Sequence, residues 1–199
     1  MKYKVNGGEM IVKGQITPRL GTTRISRGGI PGARRNAAKR NFILQQGFKD
    51  PAPAVCSLQY SALVFQPKVV LIGVVAGILF QSPAVFAVLA ALLWWSALFP
   101  KLNPFRALYN GTLGSRPGAF RLDTSPAPRR AAETEAGTVA LASALLIYTG
   151  FSPAAYVVES IFLAAGLGVI IGSFCFGSFV YHLLRGGRKF ALQTLPWAR

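Results

Sequence analysis

Carboxylates, thiols and imidazoles are scarce in this chain: its 199 residues include 6 Asp and Glu, 2 Cys and 1 His. Two cysteines, Cys56 and Cys175, cannot build a disulfide framework, so thiol content gives no support for a fold stapled in an oxidising space. A single histidine, His182, with no cysteine or carboxylate at ligand spacing is a weak metal signal. The sequence shows no glycine-rich phosphate cradle, paired-carboxylate motif or nucleophile elbow, which leaves enzyme catalysis the least supported class. No signal peptide is expected, because the first long apolar run begins only after about sixty residues, behind a polar, basic segment.

What is present is apolar and basic. Hydrophobic residues make up 52% of the chain and charged ones 14%, with a mean hydropathy of +0.40, the balance of an integral membrane protein. Residues 154–184 pass with one carboxylate, Glu159, one histidine, His182, and no Lys or Arg. Apolar runs and turn signals predict an all-α polytopic membrane protein whose four transmembrane helices form two hairpins, spanning about residues 61–81, 83–99, 134–150 and 153–184. Residues 1–57 read as an extended basic arm, with a short helix near Ala37–Gln46, and 186–199 as a basic tail. In the central loop, 100–133, Asn103-Pro104-Phe105 is a cap-then-proline signal opening a short interfacial helix through Tyr109. Gln81-Ser82-Pro83-Ala84-Val85-Phe86 parallels Phe151-Ser152-Pro153-Ala154-Ala155-Tyr156, and each marks a hairpin tip.

Charge orients the chain. Of 22 Lys and Arg, 12 lie at or before Lys68, 6 between Lys101 and Arg130, and 4 from Arg185 onward, with none at either tip. The positive-inside tendency places both termini and the central loop in the cytoplasm of a bacterium, with a multi-pass body in its inner membrane. The same distribution accounts for the net charge of +16 without nucleic acid, for which no binding motif is present. The expected partners are membrane lipid and membrane proteins. The arm would contact such proteins, as would close-packing helix faces around Gly73, Gly77, Gly168 and Gly172.

Glu159 is a functional-site candidate because burying a carboxylate in a membrane is costly, the alternative being a side chain that faces water or headgroups. His182 could ligate a metal or pigment, against the plainer reading of an interfacial histidine. No cofactor is indicated, and a pigment or lipid contact stays open.

Asn103-Pro104-Phe105 and Tyr109-Asn110 in the central loop, with Phe174-Cys175-Phe176-Gly177-Ser178 and Tyr181 in the last span, resemble the bacterial membrane family called domain of unknown function 4395 over roughly residues 58–185. The resemblance implies a four-helix membrane fold and no settled activity. It also implies a Cys-x-Gly-Cys ending, whose second cysteine is here Ser178. A hydroxyl cannot resolve a mixed disulfide, so redox work at Cys175 would need Cys56. A continuous fourth helix would carry Cys175 roughly 33 Å from the tip at 1.5 Å per residue, to the interface where Cys56 is also expected. A small buried packing residue is the alternative. Three functions follow: a non-catalytic accessory subunit of a larger membrane complex, thiol-redox or sulfur-related chemistry through Cys175, and small-solute transport.

Overall fold

The computed structural model describes residues 2–5, 8–11 and 31–198, with side chains from residue 35 onward. At the N-terminus β1 (Lys2–Val5) pairs antiparallel with β2 (Gly8–Ile11), Lys2 opposite Ile11 and Val5 opposite Gly8. All other regular structure among the described residues is helical.

The short helix expected near Ala37–Gln46 is present within α1 (Pro31–Gln45), while the extended arm expected around it is corrected, since α1 begins at Pro31 and α2 (Pro53–Leu63) follows. Composition conceals the reason. Phe42 and Ile43 bury themselves completely in an apolar cluster with Ala62, Leu63 and Val64, which outweighs the basic residues beside them. Arg40 then clamps α1 to the following turn, donating to both oxygens of Asp50 at 2.6 and 2.5 Å.

The body is a bundle of α3 (Phe65–Phe80), α4 (Pro83–Leu98), α6 (Ala127–Tyr148) and α7 (Ser152–Ile170), linked on one side by a 3-10 turn, Pro100–Leu102, and α5 (Pro104–Gly111). α4 packs mainly on α6 and α3 on α7, with α6 also touching α7. Phe86, Val74 and Ala140 lie at the fully buried centre. Two stretches, Pro53–Phe80 (28 residues) and Ser152–Ile170 (19 residues), are long and apolar enough to cross a membrane. Only 33% and 17% of their apolar windows is buried, whereas the core helix of a water-soluble bundle would be mostly covered. Ile72, Leu79, Phe80, Val157 and Ile161 instead point outward from these stretches.

The first tip follows its sequence signal: α3 closes on Gln81 in a left-handed conformation (φ 42), and the Ser82 hydroxyl accepts from the Val85 N–H at 3.4 Å. At the second tip Gly150 (φ 76) takes the left-handed position and Ser152 is already the first residue of α7, so no side chain caps that helix. The parallel between the tips is one of residues, not of hydrogen bonds.

The fourth predicted span, 153–184, is corrected to two helices. α7 stops at Ile170, Ser173 takes a positive φ of 52, and α8 (Phe176–Leu184) begins after Cys175. Gly166, Gly168 and Gly172 lower helix propensity here by about 1 kcal/mol each relative to alanine. The interruption is also stabilised from outside: the Tyr60 hydroxyl reaches the Ile170 carbonyl at 3.4 Å and the Ser173 hydroxyl at 2.8 Å, while Cys175 N–H donates to Gln45 Oε1 at 2.9 Å. Backbone groups freed by the break therefore find partners, as buried backbone must. α9 (Arg188–Gln193) follows.

Candidate functional site

Between α3, α6 and α7 lies an open cleft of about 220 Å³, closed at one end by α1 and α8. Val70, Val74, Val139, Phe162 and Ala165 make its long walls. Its polar residues, Gln46, Gln66, Arg129, Glu133 and Glu135, gather toward the closed end, where Cys175 also lines it.

The polar end is built on a proline. Pro67 has no N–H to give the Leu63 carbonyl one turn earlier, which is therefore free. Arg129, from the first turn of α6, donates to that carbonyl at 3.2 Å and to Gln66 Oε1 at 3.0 Å. Its Nε lies 3.5 Å from Glu133 Oε1, and both side chains are buried. Asn103 Nδ2 and the Ser125 hydroxyl also donate to Glu133 Oε1, at 3.5 and 3.4 Å. The other oxygen, Oε2, is buried and has no hydrogen bond among the described residues.

The Glu135 carboxylate lies against Gly177 of α8. A side chain at Gly177 would collide with the Glu135 carboxylate and, at 2.8 Å, with the Ala132 Cα. The glycine is what lets α8 approach α6. Ser178 is fully buried; its hydroxyl accepts from Gln46 Nε2 at 3.1 Å and donates to the Pro128 carbonyl at 3.2 Å. His182 Nε2 lies 2.9 Å from the Gln45 carbonyl, and because a carbonyl only accepts, that nitrogen carries the proton. The ring also packs edge-on to Phe190. Gln45 and Gln46 thus tie α1 to the break and to α8. Among the described residues no three His, Cys, Asp or Glu side chains are grouped to hold a metal ion.

The remaining residues singled out from the sequence are dispersed. Glu159 is buried at the far end of the bundle, where Gln81 Nε2 donates to its Oε2 at 3.1 Å and to the Ile78 carbonyl at 3.0 Å. Cys56 and Cys175 are free thiols within one apolar cluster. Gly73 and Gly77 receive Leu89 and Phe86 of α4, whose nearest atoms would lie 2.8 and 2.7 Å from an added Cβ. Gly168 and Gly172 sit near the break, and the nearest atoms to them come from the same segment. Asn103 caps α5 by accepting the Arg106 N–H at 3.0 Å, while Pro104 opens that helix. Phe105 and Tyr109 are buried, while Leu108 between them is exposed.

Sequence reasoning did not group Arg129, Glu133 and Glu135, because nothing in their spacing shows the cleft they share. The available signal was Pro67: a proline inside an apolar helix demands an outside donor for the carbonyl it strands. The family model described as Domain of unknown function (DUF4395) matches residues 61–186. Comparison with curated proteins and with solved structures returned no match.

Proposed function

The chain belongs to the family of domain of unknown function (DUF4395), and from that premise we propose that it is a four-crossing membrane protein holding an apolar, lipid-like molecule between α3, α6 and α7. The cleft carries this reading. A cavity of roughly 150 Å³ lined by Leu, Ile and Phe stays dry and takes up an apolar guest; this cleft is larger, about 220 Å³, and most of its wall is aliphatic or aromatic. Water in the cleft would leave that wall unsolvated, which favours an apolar occupant.

Four crossings are supported by the bundle of α3, α4, α6 and α7, by their outward apolar side chains, and by the absence of Lys and Arg at both tips. We place the central loop and both termini in the cytoplasm of a bacterium, with the polar end of the cleft on that side. In a chain carrying Cys56→Ala and Cys175→Ser, single cysteines introduced as Thr112→Cys and Thr149→Cys, both at exposed positions, are expected to react with an impermeant thiol reagent from opposite faces of the membrane. Reaction of both from one face would remove the four-crossing topology.

The occupant is tested by extracting protein reconstituted in phosphatidylcholine nanodiscs and identifying the retained apolar molecules by mass spectrometry. A molecule other than the nanodisc lipid is expected in the wild type and is expected to be lost in Ala165→Trp, which places an indole at the exposed rim of the cleft. Identical extracts from both proteins would defeat the proposal. The accessory-subunit role expected from an arm held by a partner has less support, since α1 and α2 are held by their own chain through Phe42, Gln45 and Gln46. Chemistry at Cys175 is the second reading, favoured by that residue's place on the cleft wall.

A further inference from the structure

We infer that the closed end of the cleft selects a long-chain molecule ending in a neutral or cationic hydrogen-bond donor, an alcohol or an amine, and rejects one ending in an anion. This inference rests on the cleft being a ligand site and adds what its polar end recognises. Arg129 Nη2 serves the Leu63 carbonyl and Gln66, and its Nε faces Glu133. The Gln46 amide is engaged by Ser178. On the cleft wall, a buried acceptor has no hydrogen bond among the described residues: Glu133 Oε2, on a side chain only 5% exposed.

A buried carboxylate oxygen left without a donor costs free energy that a donating head group recovers. Charge acts in the same direction. Arg129 and Glu133 neutralise each other, and Glu135, also on the cleft wall, leaves that end with one net negative charge among its described lining residues. An anionic head would meet two carboxylates, Glu133 and Glu135. The aliphatic walls lead away from this end, so the same molecule would lay its chain along Val70, Val74 and Phe162. The preference runs against the bulk charge of the protein, +16, which by itself would attract anions. Selection of an amine is therefore not a general surface effect.

The test measures apparent affinity by thermal-shift titration in phosphatidylcholine nanodiscs, with octadecylamine, octadecan-1-ol, octadecanoate and octadecane as probes. The amine and the alcohol are expected to bind the wild type at least about tenfold more tightly than octadecanoate, the size of effect that one unpaired buried polar group produces. Glu135→Gln, which leaves the buried ion pair intact, is expected to weaken the amine and to strengthen octadecanoate. Glu133→Gln is expected to weaken the alcohol as well. Comparable affinity for all three polar probes, or no change in either variant, overturns the head-group selection while the cleft remains a ligand site. Failure of all four probes to bind the wild type, octadecane included, overturns the cleft reading itself.

Discussion

Replacing Arg129 with leucine is expected to destabilise the protein by about 3–5 kcal/mol, the cost of leaving one member of a buried ion pair without the other. Three groups lose a donor at once: the Leu63 carbonyl, the Gln66 amide oxygen and the Glu133 carboxylate. The first cannot be repaired by the helix, because Pro67 stands where the next N–H should be. Nor is water close at hand, since Arg129 is 6% exposed and Glu133 5%. The double variant Arg129→Leu with Glu133→Leu removes both charges and should recover a large share of the loss, because a buried pair replaced by apolar residues of similar size is often neutral. Recovery should be incomplete, with the Leu63 carbonyl still unpaired at about 1–3 kcal/mol. Reversible unfolding in mixed micelles reads both variants. A single variant as stable as the wild type, or a double variant no better than the single, would show that the pair does not hold the α3–α6 junction.

The same junction shows what was readable from residues alone. Helix ends announced themselves locally: Ser82-Pro83 and Asn103-Pro104 each place a short acceptor side chain before a proline, and both acceptors cap as expected. The small-residue face of α3 was readable as a place of close approach, but Gly73 and Gly77, expected to face a partner protein, receive large side chains of the chain's own α4. Long-range polar bonds were not readable. Arg129 to Leu63, Gln45 to Cys175 and Gln46 to Ser178 join residues 66, 130 and 132 positions apart, and no periodicity encodes such a bond. For that reason the arm read as extended although Gln45 and Gln46 dock it, and residues 153–184 read as one helix although Tyr60 and Gln45 stabilise its interruption. Cys175 was picked out by a short motif, whereas the carboxylates beside it needed the fold. Local chemistry predicted where helices end; the contents of the cleft depend on which ends meet.

Phe86→Ala is expected to cost about 3–5 kcal/mol, the range for deleting a phenyl ring from a closely packed core. Phe86 is fully buried on α4, and its ring fills the space that Gly77 leaves on α3. The two residues are complementary in size: a Cβ at position 77 would lie 2.7 Å from the ring, so Gly77→Leu against an intact Phe86 should cost about 1–3 kcal/mol through overpacking. Combining them distinguishes specific complementarity from general loss of apolar area. With Phe86→Ala the space opens, a leucine at position 77 can enter it, and the double variant should be more stable than the sum of the two losses by about 1 kcal/mol or more. Surrounding lipid cannot supply this coupling, since neither Phe86 nor Gly77 faces outward. Additive losses in the unfolding measurement would mean that the α3–α4 hairpin relaxes around each change independently, and the glycine spacing on α3 would then have to be explained by something other than this ring.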